Sequence, residues 1–137
     1  MSAAPPGRIF AMSAPAGTGK DTVIRQLKST GCPLSFPVTY TTRPRRDNEV
    51  QHVHYHFVEP DEFARLERQG EFLETAEYNG NWYGSPRQEV EDMVRAGSDV
   101  LLKIEVQGAR SVRSRYPDTV SIFLSPPSLE TAVERMH

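Results

Sequence analysis

A chain of 137 residues, 37% of them hydrophobic, has room for one compact domain with a modest buried core. Its formal charge of -2 excludes the overall basic surplus of a dedicated nucleic-acid binder, so any basic patch has to be local. The single cysteine, Cys32, excludes an intramolecular disulfide framework, and the sequence carries neither a signal-peptide core nor a bilayer-length apolar stretch, so a cytoplasmic protein is expected.

Past an N-terminal arm (residues 1–7), RIFAMS (Arg8 to Ser13) is a short apolar run entering a Gly/Pro/Ala-rich turn, the pattern of a buried strand feeding a loop. A helix is predicted next, with Val23, Ile24 and Leu27 along one side and Gly31 at its end. Between them Ala14, Pro15, Ala16, Gly17, Thr18, Gly19, Lys20 and Asp21 align with the phosphate-loop pattern GxxxxGK[ST] and depart from it at two of four fixed positions. The strand-loop-helix context supports the match, because successive backbone N–H groups and a helix N-terminus can converge there on phosphate oxygens. Gly17 and Gly19 permit the close approach, and Lys20 would reach the terminal phosphates. Asp21 stands where a hydroxyl normally meets Mg²⁺, and two readings stay open: a hard oxygen ligand to the ion, or a carboxylate that simply favours the positive helix end. Thr22, about 100° further round the helix, does not replace it.

From Phe36 to Phe57 the pattern alternates (Phe36, Val38, Tyr40, then Val53, Tyr55, Phe57), which predicts strands of a small, partly exposed sheet split by the polar stretch RPRRDNEVQ. His52, His54 and His56 would then share one strand face, and a solvated face is favoured there over a zinc site. PDEFARLERQG is punctuated as a short helix, with Pro60 and acidic residues first, arginines later and Gly70 after it. FLETAEYNGNWYG predicts a hairpin around Asn79 and Gly80. In SPRQEVEDMVRAG, Ser85 can cap a helix, Pro86 fits its first position and Gln88 can complete a capping box. VLLKIEVQG (Val100 to Gly108) reads as a strand with Lys103 and Glu105 on one side, and TVSIFLS (Thr119 to Ser125) as another buried strand. SLETAVERMH opens a helix at Ser128 with no stop signal, so the chain is expected to be a fragment of a longer protein.

TYTTRPRR places Arg43, Arg45 and Arg46 after a strand, with Tyr55 and Tyr83 further on; guanidinium forks match phosphate oxygens and tyrosine hydroxyls add neutral donors. Taken alone, such a cluster is more often a solvated loop.

Together, SAPAGTGK, TTRPRR…EV…HYHFV, DEF…GEFLE, YNGNWYGS, VQGA and PPS resemble guanylate kinase in order and nearly without gaps from about Arg8 to His137. The resemblance implies a P-loop NTPase fold, a three-layer α/β/α arrangement around a parallel sheet. It places a guanylate kinase-like domain at residues 8–137, incomplete at its C-terminus, with a small strand-rich GMP-binding lobe at about 36–84. It also implies transfer of the γ-phosphoryl group of ATP to GMP with Mg²⁺. Residue by residue, Ala14 to Thr22 match the ATP site, Asp21 the metal position, and Lys20, Arg43, Arg46 and Arg135 the catalytic cations. Arg43, Arg46, Tyr55 and Tyr83 match the GMP phosphate site; Thr39, Glu74, Ser85 and Glu105 match the guanine site. The chemistry agrees, since guanine presents an N1 hydrogen beside an amino group and one carboxylate can accept both, whereas adenine lacks that pair.

Two departures stand out. The family commonly reads RxPR, where this chain has Arg43-Pro44-Arg45-Arg46, and it often carries two aspartates where this chain has Lys103 and Glu105. Lys103 is expected near the phosphates or paired with Asp21 or Glu105. The rival readings are a non-catalytic module of the same shape that binds phosphopeptide, and a ribose 1,5-bisphosphate phosphokinase whose loop also reads GKD. Small-molecule substrates, no nucleic acid, no membrane, and a monomer or homodimer complete the expectation.

Overall fold

The computed structural model describes residues 5–13 and 20–124, the side chains of Lys20 and Asp21 excepted. Strand β1 (Ile9–Ser13) leads to helix α1 (Lys20–Ser29), then come β2 (Leu34–Ser35), β3 (Tyr40–Thr41), β4 (His56–Phe57) and α2 (Pro60–Arg68). The hairpin β5 (Phe72–Tyr78) and β6 (Asn81–Pro86) precedes α3 (Arg87–Arg95), β7 (Asp99–Lys103), α4 (Val106–Arg115) and β8 (Val120–Phe123).

Two sheets result. The first is wholly parallel, in the order β2-β7-β1-β8, and the second has the order β4-β3-β6-β5. In the first, Ile9 lies opposite Val100 and Ala11 opposite Leu102, so alternation puts all four on one face. Val90 of α3, Ala109 and Val112 of α4 and Leu73 of β5 complete the core over that face. Met12 and Leu101, on the opposite face, are buried as well. A parallel sheet covered on both faces is the arrangement expected of this fold class.

Register fixes what meets at the sheet's edge. Met12 pairs with Lys103 and Ser13 with Phe123, so the exits of β1, β7 and β8 lie side by side. Ligands of open α/β sheets bind beyond these carboxyl ends. The loop that follows Ser13 therefore starts beside the segment that carries Glu105.

Several expectations need correction. Between Phe36 and Phe57 only the two-residue β3 and β4 are strands. The Gln51 side chain takes the place of a strand partner, accepting the Phe57 N–H at 2.7 Å and donating to its carbonyl at 2.9 Å. His52 is in a turn with φ +69, and His54 Nδ1 accepts the Val50 N–H at 2.9 Å, so the three histidines share no strand face. Ser85 caps nothing: it lies in β6, α3 begins at Arg87 behind Pro86, and Gln88 donates forward to Asp92 at 2.9 Å. The run from Val100 to Gly108 is not one strand, since β7 stops at Lys103 and Glu105 is the N-cap of α4. β8 alternates between half-buried and exposed residues rather than being buried throughout. The hairpin turn falls at Asn79 and Gly80, with φ +51 and +78, the paired left-handed conformation of a two-residue type I′ turn. The phosphate loop at 14–19, the helix expected from Ser128, and Arg135 lie outside the described residues.

Candidate acceptor and nucleotide sites

The second sheet sorts its residues by face. Tyr83 of β6 lies opposite Thr41, which pairs with Phe57; Ser85, two residues on, lies opposite Glu74. Tyr83, Ser85, Glu74, Thr41 and Phe57 therefore share one face. The other face holds Tyr40, whose ring sits 4.5 Å from His56 and 5.4 Å from Phe72, and Phe72 in turn stacks on Phe63 of α2 at 4.6 Å. One face anchors the sheet to a helix. The other carries most of the candidate groups, with α4 against one end of it.

At one end of that face the rings of Tyr55 and Tyr83 are 6.0 Å apart, and the Arg43 guanidinium lies 5.3 Å from Tyr55 and 5.7 Å from Phe57. Arg43 forms a two-pronged ion pair with Glu49 at 2.9 and 2.8 Å, and the Glu49 carboxylate also accepts the Arg46 backbone N–H at 2.8 Å. Hydrogen bonding from Arg43, then from the Arg46 backbone, holds the Glu49 carboxyl down at about 2. The same pair, led by its hydrogen bonds and helped by the Tyr83 hydroxyl, raises Arg43 above its already high ordinary value. Arg45 differs from its neighbours, because its Nη1 donates to the backbone carbonyls of Arg46 and Glu49 at 3.2 and 2.7 Å. It staples the turn, while the exposed Arg46 side chain stays at the surface.

At the other end, Glu74 is only 8% exposed and its Oε1 accepts the Ser85 hydroxyl at 2.7 Å. Its Oε2 is buried with no hydrogen-bond partner. A buried, unpaired carboxylate oxygen is costly, so it calls for a partner such as a bound donor. Burial first, and the charge of Glu105 second, push the Glu74 carboxyl above its ordinary range, opposed by the Ser85 hydrogen bond. Helix α4 brings its first turn up to this carboxylate: a Cβ on Gly108 would lie 2.7 Å from Oε2. Only glycine leaves that oxygen its room.

The structure thus brings Arg43, Tyr55 and Tyr83 together as one group, and Glu74, Ser85 and Glu105 as another. Thr39 is half-buried, its carbonyl accepting the His56 N–H at 2.9 Å, and Thr22 is exposed on α1. Lys103 ends β7 as an exposed residue. Sequence reasoning assigned no role to Glu49 or Gly108, although both fall inside motifs it singled out; a carboxylate six residues after an arginine in a turn was the available signal for the first.

The family model for guanylate kinase matches residues 7–137. The chain is 44% identical over 131 residues to the guanylate kinase of Paraburkholderia xenovorans, covering 96% of itself and 58% of that relative. It is 45% identical to that of Symbiobacterium thermophilum, again over 96% of itself and 63% of the relative. A crystal structure of guanylate kinase from Anaplasma phagocytophilum superposes with a TM-score of 0.79 at 38% identity, over 95% of this chain and 65% of that one. The chain therefore spans about three fifths to two thirds of the length of these relatives.

Proposed function

The chain belongs to the guanylate kinase family, and from that membership we propose that it moves the γ-phosphoryl group of ATP to GMP, giving ADP and GDP. The observation that carries the substrate assignment is the buried Glu74 Oε2 without a partner, on the same sheet face as the arginine and tyrosine group. Guanine N1–H and its amino group are the donor pair such a carboxylate lacks. Ser85 fixes the carboxylate through Oε1, the charge of Glu105 acts on it, and Thr39 is assigned to the same guanine site from the family resemblance. Arg43, Arg46, Tyr55 and Tyr83 receive the GMP phosphate. Ala14 to Thr22, which follow the carboxyl end of β1, hold ATP, with Lys20 at its terminal phosphates. Residues from about 36 to 84 act as the acceptor lobe.

No covalent intermediate is needed. Phosphoryl transfer of this kind depends on alignment of acceptor and donor and on cations that offset charge as it moves, here Lys20, Arg43, Arg46 and Arg135. Asp21, in the first turn of α1, offers the hard oxygen that Mg²⁺ accepts, so the residue present fits the ion. Bound there, Mg²⁺ would neutralise charge on the polyphosphate.

The test measures ADP release from MgATP with GMP, AMP, UMP or ribose 1,5-bisphosphate, alongside calorimetric binding of GMP and of a phosphoserine peptide. Turnover with GMP at least a hundredfold above AMP supports the reading, because a site built for a donor pair rejects a base that lacks it. Turnover with ribose bisphosphate alone, or phosphopeptide binding without turnover, overturns it.

A further inference from the structure

Arg43 makes three of its hydrogen bonds within the protein: Nη1 donates to Glu49 Oε1 at 2.9 Å and to the Pro44 carbonyl at 3.1 Å, and Nη2 donates to Glu49 Oε2 at 2.8 Å. The Nη1/Nη2 edge of the guanidinium is therefore filled by a carboxylate. A guanidinium has a second edge, formed by Nε–H and the other Nη2–H, and that edge matches two oxygens of a phosphate equally well. We infer that Glu49 is a positioning residue for the acceptor phosphate: it grips Arg43 by one edge so that the other is presented to the incoming phosphate. The inference rests on the proposed reading that Arg43 and Arg46 receive the phosphate of GMP.

Three further contacts support a positioning role. Glu49 Oε1 also accepts the Arg46 backbone N–H, so one carboxylate sets the relation of both arginines. The Glu49 N–H donates to the Arg46 carbonyl at 2.9 Å and the Glu49 carbonyl accepts from Arg45, which closes the turn around the pair. The Arg43 and Glu49 side chains are only 14% and 11% exposed, with Tyr55 and Phe57 against the guanidinium. An arginine so held gives up little side-chain freedom when a phosphate binds. The competing account makes Glu49 an internal stand-in that occupies the seat of the phosphate itself, and it predicts the opposite sign.

Calorimetry of the full chain and its Glu49→Gln and Glu49→Ala variants with GMP and with guanosine separates them. A positioning role lowers GMP affinity about tenfold or more, Ala more than Gln, while guanosine affinity stays close to that of the parent. Tighter or unchanged GMP binding in the variants overturns the inference in favour of a stand-in. A parallel loss of guanosine binding overturns it in favour of a merely structural residue. Should the parent itself bind GMP no better than guanosine, the phosphate-site reading fails first, and this inference falls with it.

Discussion

Glu74 sets its proposed function against stability in one side chain. Its carboxyl is raised above the ordinary value, chiefly by burial, so folding disfavours its charged form. The sign follows from linkage: the cost of the charged form is fully present above the folded-state pKa and disappears as pH falls below the unfolded value. Glu74→Gln is therefore expected to raise stability at pH 7.5 by about 1 kcal/mol in urea unfolding, a gain that shrinks towards pH 4. The same variant should lose GMP affinity a hundredfold or more by calorimetry, since an amide sets an N–H donor where the second carboxylate oxygen would accept one. A variant that binds GMP normally would remove Glu74 from the site. The proposed role of this residue was legible because the resemblance marked it. Gly108 was given none, because its constraint comes from a carboxylate that only folding brings within 2.7 Å of its missing Cβ.

At the scale of elements, the segment carrying Tyr55 depends on neutral imidazoles. His52 Nδ1 and His56 Nδ1 are 2.7 Å apart, a contact that needs one proton between two nitrogens and fails when both rings are fully protonated. His54 Nδ1 must keep its lone pair to accept the Val50 N–H. Burial against Tyr40, and then the charge of His52, lower the pKa of His56. A base with a depressed folded-state pKa stabilises the fold above its unfolded pKa, and that stability is lost as pH falls through roughly 6.5. His52→Gly, which suits the left-handed φ of +69, is expected to lie within about 0.5 kcal/mol of the parent at pH 7.5. At pH 5.5 it should be the more stable of the two in urea unfolding; equal losses in both proteins would show that the pair has no such effect. The same segment misled the strand pattern, because only His56 and Phe57 pair with a neighbouring strand, while the turn before them is held by local hydrogen bonds. Helix α4 escaped notice for a related reason. Its buried side is only Gly108, Ala109 and Val112, too small a stripe to register as helical periodicity beside the apolar run that precedes it.

Over the whole molecule, the two sheets share one core through Leu73. This residue of β5 is fully buried and belongs to one hydrophobic cluster with Ala11, Val100 and Leu102 of the parallel sheet and Val90 and Val112 of the helices. Arg115 of α4 adds a hydrogen bond to its carbonyl at 3.3 Å. Leu73→Ala is expected to cost about 2–5 kcal/mol and to lower the urea midpoint of Trp82 fluorescence and of far-UV circular dichroism together. Separate midpoints would mean that the sheets unfold as independent units. The sequence alone determined the helices with clear apolar stripes and the hairpin with its Asn-Gly turn, because these depend on local periodicity and turn chemistry; the parallel-sheet class and the candidate residues came from the family resemblance that its motifs carry. Only the tertiary structure decided that Ser85 serves Glu74 instead of a helix, that Glu49 holds Arg43, and that Gly108 clears room for a carboxylate. Each of those is a contact between side chains from separate turns or elements, and its energy comes from burial and hydrogen-bond geometry that no local pattern encodes.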